Sequence, residues 1–228
     1  MPTISFANSK GGSGKTTSAL LLACELAHSS SVTLIDADPR QPVTRWAALS
    51  EKPASLTIVS NATERTVLDQ IEAAAVRDPF VIVDLEGTAS RLTSYAISQS
   101  DLVIVPMKEQ QQDASAALDV IAEIHRDMKA VRREIDYAVL FTQSKVVAKS
   151  RTARHIARQF RENDRVAVFD VEINERDAFS ALFAVGGTVR DLDPKSVNNL
   201  AAAIDNVAAF AAETIERLRK AAAKRKVA

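Results

Sequence analysis

The fold is decided by a stretch that follows the first apolar run of the chain, TISFA (residues 3–7). It reads NSKGGSGKTT (residues 8–17) and leads into the helical run SALLLA (residues 18–23). Three of the chain's six glycines lie in this one turn, where they let the backbone approach a ligand and adopt left-handed angles. Backbone N–H groups at the start of a helix, reinforced by the helix dipole, bind phosphate. The stretch therefore predicts a strand, a phosphate-binding loop and a helix, in that order.

The loop departs at one position from the general phosphate-loop pattern G-x-x-x-x-G-K-[ST]. That pattern requires glycine at position 9, where the chain has serine. The chain matches instead K-G-G-x-G-K-T-T, the deviant Walker A loop, in which a second lysine, Lys10, stands near the beginning. In such a loop Lys15 bridges the β- and γ-phosphates, and the Thr16 hydroxyl ligates Mg²⁺. The predicted nucleotide-binding residues are Gly11, Gly12, Ser13, Gly14, Lys15, Thr16 and Thr17.

Short apolar runs rich in β-branched residues alternate along the chain with longer segments whose apolar residues recur at spacings of three and four. Near-continuously apolar strands separated by helices indicate a parallel sheet that is covered on both faces. We therefore predict an α/β fold with a doubly wound, mostly parallel sheet flanked by helices. The predicted strands are Thr3–Ala7, Val32–Asp36, Leu56–Val59, Phe80–Asp84, Leu102–Pro106, Tyr137–Phe141 and Val166–Phe169.

Two acidic motifs end predicted strands, LIDADP (residues 34–39) and FVIVD (residues 80–84). The carboxyl ends of parallel strands share one edge of the sheet with the phosphate loop, so acids there can reach a nucleotide-bound Mg²⁺, often through water. Each motif also has a plainer interpretation. Asp36 and Asp38 could cap a strand–helix turn, and an apolar run that ends in an acid such as Asp84 occurs in many buried strands.

Together these motifs resemble the ParA/MinD superfamily of deviant-Walker P-loop ATPases. The resemblance is greatest to the short ParA-type plasmid partition ATPases and to the related ParA homologue that assists T-DNA transfer. The loop, the motif at 34–39 with TRW (residues 44–46) and the strand at 80–84 occur in the family's order. The resemblance covers most of residues 1–190. It implies ATP and Mg²⁺ as cofactors and a slow ATPase activity that serves as a timer.

The resemblance also implies roles for individual residues. Asp36 and Asp84 lie at the Mg²⁺ shell with Thr16, and Asp38 orients the attacking water. Lys10 is the signature lysine, which reaches the phosphates of the second subunit in a nucleotide-sandwiched homodimer and neutralises charge there as an arginine finger does. The predicted catalytic residues are Lys10, Lys15 and Asp38, and the predicted metal site is Thr16, Asp36 and Asp84.

Three segments depart from the family pattern or are not fixed by it. The residues after Asp84 are LEG (85–87), where the family has a small residue and prolines. Glu86 is interpreted as a solvated loop acid in preference to a catalytic one. RQP (residues 40–42) replaces a glycine-containing turn, so contacts with a partner there would differ. The adenine contacts are not determined by the sequence; Thr142 and Gln143, which end a strand, are the candidates.

A basic segment predicts a DNA-binding surface. On a helix that begins near Ser150, five arginines follow one another at spacings of 3, 4, 3 and 4 and fall within an arc of about 80°. Unneutralised arginines on one stripe repel each other unless an anion binds, although a solvated helix face is the plainer alternative. ParA-type proteins bind DNA non-specifically through this part of the chain. The candidates are Arg151, Arg154, Arg158 and Arg161, with Arg165 on the same stripe and Arg176 as a weaker addition.

The composition favours a single soluble domain. The chain has 228 residues, of which 46% are hydrophobic and 25% charged, and its formal net charge is zero. The lone cysteine, Cys24, excludes an internal disulfide and a cysteine-ligated metal within one chain. We see no signal peptide and no apolar run of about 18 residues, so we expect a cytoplasmic protein with no membrane partner.

The last helix is predicted from Asp193 as its cap and Pro194 in its first turn. Its apolar stripe runs from Val197 to Leu218. From Arg217 to the end there are six basic residues and no acid. The sequence thus predicts one ATPase domain over residues 1–218 and a basic, flexible tail over residues 219–228.

Several functions fit these features. The leading hypothesis is a ParA-type ATPase that binds DNA non-specifically as an ATP dimer, associates with the nucleoid, and positions plasmid or other DNA cargo. A DNA-bound ParB-type adaptor would stimulate its hydrolysis. The alternatives are an ATPase that assists conjugative DNA transfer and a MinD-like positioning ATPase, whose membrane helix the tail does not resemble. A dethiobiotin-synthase-like ligase or a nucleotide-binding scaffold without activity is less well supported by the motifs.

Overall fold

The computed structural model describes residues 1–88 and 90–227. In these residues seven strands form one sheet with helices on both faces. The strands are β1 (Thr3–Phe6), β2 (Val32–Ala37), β3 (Leu56–Val59), β4 (Phe80–Leu85), β5 (Leu102–Met107), β6 (Asp136–Ser144) and β7 (Ile173–Asn174). The helices are α1 (Lys15–Leu26), α2 (Pro42–Ala47), α3 (Val67–Arg77), α4 (Arg91–Gln99), α5 (Gln111–Val131), α6 (Arg151–Arg161), α7 (Asp177–Val185) and α8 (Leu200–Val227), with a 3₁₀ helix at Val189–Asp191.

The sheet has the order β3-β2-β4-β1-β5-β6-β7, and every pair of neighbouring strands is parallel. This confirms the predicted doubly wound α/β fold. The order reverses direction at the central strand β1, and ligands of such sheets bind outside the carboxyl ends of the strands at this reversal. The loop of residues 8–14 leaves β1 at that point.

Two hydrophobic cores cover the two faces of the sheet. On one face Ile4, Leu34 and Ile104 of the strands pack with α1, α7 and α8, and Phe210 of α8 is fully buried there. On the other face alternate strand residues such as Val83 and Val105 pack with helices α3 to α6. Because both faces are covered, the strands are mostly apolar, which is why the sequence shows them as nearly continuous runs.

One predicted strand is wrong. Residues 166–169 form only an isolated bridge, between Val168 and Val139 of β6. The backbone N–H groups of Asp170 and Val171 then donate to the carboxylate of Glu213 on α8, each at 2.9 Å, which takes the chain away from β6. The chain returns to β6 as β7, across an irregularity in register between Thr142 and Ser144.

The last helix begins later than predicted. The Asp193 carboxylate accepts a hydrogen bond from the backbone of Lys195 at 2.9 Å, so it caps a turn and not the helix. Asn199 has a left-handed φ of 51°, and α8 begins after it. The helix also continues past Leu218 to Val227, where eight of the nine residues are alanine, lysine or arginine, all of which favour helix. The predicted tail from residue 219 is therefore helical as far as residue 227, and residue 228 lies outside the described residues. None of the described helices has an apolar stretch of the length that a bilayer requires.

Candidate active site

The loop after β1 has the backbone that phosphate binding requires. Gly12 and Gly14 adopt left-handed φ values of 73° and 95°, and Gly14 is the N-cap of α1. Only glycine adopts such angles without steric cost. The predicted nucleotide residues come together with Asp38, Arg40 and Gln143 around a cavity of about 150 Å³, and they are Gly11, Gly12, Ser13, Gly14, Lys15, Thr16 and Thr17.

Lys15 is turned into the loop. Its ammonium group donates to the backbone carbonyls of Asn8 at 3.0 Å and of Lys10 at 3.3 Å. Burial lowers the pKa of Lys15, and the carboxylates of Asp84 and Asp38 act in the opposite direction. A cation that is held inside a loop by neutral carbonyls is well placed to exchange them for phosphate oxygens, which are stronger acceptors.

Asp36 and Asp84 lie side by side. They are register partners on the adjacent parallel strands β2 and β4. One carboxylate oxygen of Asp36 accepts hydrogen bonds from the backbone and the hydroxyl of Thr44, at 2.8 and 2.9 Å, and its other oxygen has no partner among the described residues. Both groups are fully buried. The TRW segment thus contributes to the site through Thr44, a role that the sequence did not predict.

Asp84 is the residue whose environment best fits a cation. Neither of its buried carboxylate oxygens has a hydrogen-bond partner in the described part of the chain. Burial raises the pKa of Asp84 to about 7; the neighbouring Thr16 hydroxyl acts to lower it, and the Asp36 carboxyl acts to raise it. A buried carboxyl group without partners is unfavourable unless a cation binds it. Within residues 1–88 and 90–227 no group of three or more His, Cys, Asp or Glu side chains could hold a metal ion.

Asp38 is held by the neighbouring turn. The Arg40 backbone donates to its Oδ1 at 2.8 Å, and the Arg40 guanidinium donates to both oxygens, at 3.2 and 3.0 Å. Burial opposes ionisation of Asp38, but these hydrogen bonds outweigh it and lower its pKa. Asp38 is therefore an ionised acceptor at the edge of the loop cavity. In the sequence Arg40 is only a departure from the family pattern. In the structure it is part of the site.

Lys10 lies against its own subunit. Its ammonium group forms an ion pair with Asp113 on the first turn of α5. Its backbone N–H donates to the Asn8 side chain at 2.8 Å, and the Asn8 amide donates to the carbonyl of Pro106 in β5 at 2.7 Å. The roles of Asn8 and Asp113 are not visible in the sequence, because no local pattern links residue 10 to a helix that begins a hundred residues later.

A second cavity adjoins the loop. It has a volume of about 230 Å³ and shares Gly14 and Thr17 with the loop. Thr142, Gln143 and residues 173–176 line it, with Phe179 and Phe183 from α7. The two residues suggested as adenine contacts thus lie at the loop. Arg176, suggested as a DNA contact, lines this cavity as well.

Glu86 lies in the loop after β4 and is partly buried. A Cβ on Gly87 would lie 3.4 Å from the Lys15 ammonium, which shows that residues 86–87 lie beside the phosphate loop. The Glu86 carboxylate acts to raise the pKa of Lys15, although less than Asp84 and Asp38 do. The negative charge of Glu86, so close to the phosphate loop, opposes phosphate binding unless the carboxylate faces magnesium-bound water.

The arginine helix forms as predicted. Ser150 caps α6, with its hydroxyl accepting from the Ala153 backbone at 3.0 Å, and Arg151 and Arg154 are exposed. The assumption that the stripe is unneutralised is wrong for its second half. Arg158 lies 3.8 Å from Glu162, and Arg161 pairs with Glu172 at 3.1 Å. Arg165 follows the end of the helix.

Comparison with known proteins identifies the family to which this chain belongs. A family model described as VirC1 protein matches residues 1–222. The chain is 40% identical over 222 residues to "Protein ParA" of Rhizobium radiobacter. The matched region covers 97% of this chain and 99% of the relative. It is 29% identical over 188 residues to "Protein virC1" of the same organism, with 80% of each chain covered.

The fold also matches a solved structure. The ATP complex of a McdA variant from Cyanothece superposes with a TM-score of 0.75 over 98% of this chain and 96% of that chain, at 16% sequence identity. At that identity the likeness concerns the fold alone. The family model spans nearly the whole chain and the ParA relative is similar along its full length, so this chain belongs to the VirC1 family, within the ParA-type ATPases that its motifs resemble.

Proposed function

We propose that this chain binds ATP with Mg²⁺ at the loop of residues 10–17 and hydrolyses it slowly. The observation that supports this best is the buried carboxylate of Asp84, which lacks a hydrogen-bond partner in the described chain and stands beside Asp36 at the edge of the sheet from which the loop leaves. Thr16, Asp36 and Asp84 would hold the ion, directly or through water. Bound Mg²⁺ neutralises the charge that develops on the phosphates.

The remaining groups of the site bind the phosphates and orient the attacking water. The loop backbone and Lys15 bind and orient the phosphates. Asp38, ionised and at the edge of the loop cavity, accepts a hydrogen bond from the attacking water and so orients it. In the present arrangement Arg40 occupies the Asp38 carboxylate, so Arg40 must yield at least one of its hydrogen bonds before Asp38 can act on water.

ATP binding would control assembly. Two ATP-bound subunits form a sandwich in which Lys10 of each contacts the phosphates held by the other, and hydrolysis removes this contact. The ATP dimer binds DNA non-specifically through the exposed arginines of α6 and positions DNA cargo on the nucleoid in the cytoplasm. A ParB-type adaptor on the cargo stimulates hydrolysis. Membership of the VirC1 family, with a ParA relative 40% identical, supports this proposal.

A second candidate function is support of conjugative DNA transfer, favoured by the family model that spans residues 1–222. The two functions predict different effects of deleting the gene. Deletion of the gene would raise the rate of plasmid loss if the protein partitions DNA. It would lower transfer frequency, with plasmid inheritance unchanged, if the protein assists conjugation.

Sedimentation of the purified protein with ADP or ATP, with and without a non-specific DNA duplex, tests the proposal. We expect a monomer with ADP, a dimer with ATP and Mg²⁺, and co-sedimentation with DNA only in ATP. Lys15→Gln should stay monomeric in ATP and should not co-sediment with DNA, whereas Lys195→Gln, on an exposed turn, should behave as the wild type. Equal sedimentation in ADP and ATP would refute the switch, and unchanged ATP affinity of Lys15→Gln by calorimetry would refute the loop assignment.

A further inference from the structure

Asp113 is a buried acid without a role in the site described so far. Its side chain is 1% exposed, and it stands in the first turn of α5 beside the phosphate loop. One carboxylate oxygen pairs with the Lys10 ammonium, and the other lies 3.4 Å from the backbone nitrogen of Lys108. The only charged partner of Asp113 among the described residues is therefore Lys10.

The pair is constrained from both sides. The Lys10 backbone is fixed through Asn8 to the Pro106 carbonyl of β5, and the loop carbonyl of Lys10 accepts from Lys15. Asp113 is fixed by α5, which follows β5 directly. The backbone of Lys10 is therefore linked to β5 and its side chain to α5. The ammonium group points toward its own subunit.

We propose that Asp113 is a positioning residue that holds Lys10 in cis in the nucleotide-free subunit and competes with the phosphates of a second subunit for its ammonium group. This inference rests on the proposed function, in which Lys10 acts in trans. Release of Lys10 leaves the Asp113 carboxylate buried without its cation, which is unfavourable. The pair therefore opposes dimer closure, and only the binding of triphosphate in both subunits offsets it.

The test compares the ATP concentration at half-maximal dimerisation for the wild type and Asp113→Asn. Asp113→Asn removes the negative charge that holds Lys10. We therefore expect the ATP concentration at half-maximal dimerisation to fall by about fivefold or more. Asp113→Glu, which keeps the charge, should restore a value near the wild type. In a Lys10→Gln background Asp113→Asn should cause no further change, because the cation that it holds is gone.

Controls separate this effect from damage to the fold. Asp78→Asn removes another buried acid, one that pairs with Arg77 far from the loop, and should not change dimerisation. Unfolding midpoints in urea and affinity for ADP report the folding of each variant. If Asp113→Asn does not fold, acetylation of the wild type by mass spectrometry remains decisive, because Lys10 should react more slowly than exposed Lys195 without nucleotide.

The outcomes are distinct. Weaker or unchanged dimerisation of Asp113→Asn, an equal shift in the Lys10→Gln background, or equal acetylation of Lys10 and Lys195 would overturn the inference. Normal ATP-dependent dimerisation of Lys10→Gln alone would instead overturn the proposed role of Lys10 in trans, whatever Asp113→Asn does.

Discussion

The Thr142 hydroxyl donates a hydrogen bond of 2.6 Å to the backbone carbonyl of Ser13, and this contact ties the end of β6 to the phosphate loop. The same side chain closes the space beside Gly14. A Cβ at Gly14 would lie 3.1 Å from three atoms of Thr142, while the backbone there has a φ of 95°. Two independent constraints, one steric and one conformational, therefore disfavour any other residue at position 14.

Gly14→Ala should destabilise the protein by on the order of 1–3 kcal/mol and lower ATP affinity at least tenfold, because the loop must move to admit the methyl group. Urea unfolding and calorimetry with ATP measure the two effects. Gly11→Ala is the matched control for stability, since a Cβ there meets nothing within 4 Å and the φ is not left-handed. Equal losses of stability in both variants would show that the Thr142 contact is not the cause.

Asp84→Asn should stabilise the nucleotide-free protein while it weakens binding of ATP with Mg²⁺. Burial raises the pKa of Asp84 from 3.8 to about 7 in the folded state, so the folded state binds more protons than the unfolded state between these values. Stability of the wild type therefore falls as pH rises from about 4 to about 7. The gain in the free energy of unfolding from the substitution should grow over the same range and level off above it, at about 4 kcal/mol.

The measurement is urea unfolding of both proteins at several pH values without nucleotide. A gain that is independent of pH would contradict the assignment of the titration to Asp84. Calorimetry with ATP, with and without Mg²⁺, should show that only the metal-dependent part of the affinity is lost.

Asp38→Ala should bind ATP and dimerise but lose hydrolysis by about 100-fold or more, because the attacking water is no longer oriented. Arg40→Ala is the informative companion. It frees the Asp38 carboxylate from its hydrogen bonds and should leave turnover equal to the wild type or higher. Phosphate release at saturating ATP checks both variants, and normal turnover of Asp38→Ala would remove its assigned role.

The arginines of α6 should separate into two groups. Arg161 donates to the Phe169 carbonyl at 3.0 Å, pairs with Glu172 and lies 5.4 Å from the centre of the Phe141 ring. Arg161→Ala should therefore cost on the order of 1–2 kcal/mol of stability, whereas Arg154→Ala should cost almost nothing. Thermal or urea unfolding distinguishes them, and equal costs would contradict the structural role of Arg161.

Charge reversal at exposed Arg154 and Arg158 should weaken DNA binding and spare ATP-dependent dimerisation. Each phosphate contact that is lost should reduce the log–log salt slope by about 0.9. A salt titration of the double variant measures this, with dimerisation as the control. If the variant keeps the wild-type slope, DNA does not bind on this face.

The elements that the sequence predicted well are those whose signal is local. The strands that enter both cores appear as apolar runs, and the loop between β1 and α1 follows from its glycine spacing, because backbone geometry there depends on adjacent residues. The predicted strand at 166–169 failed because Glu213, far along the chain, accepts the hydrogen bonds of the next two residues. The start of α8 failed because a capping residue fits a turn as well as a helix.

The sequence by itself determined the class of fold, the phosphate loop and the acids that could meet a metal, since each depends on residue type and short-range spacing. Only the tertiary structure decided which charges meet. It placed Asp84 beside Asp36 without partners in the described chain, joined Lys10 to Asp113, and paired Arg161 with Glu172. Electrostatic energy depends on distance in space and on burial, and neither can be read from distance along the chain.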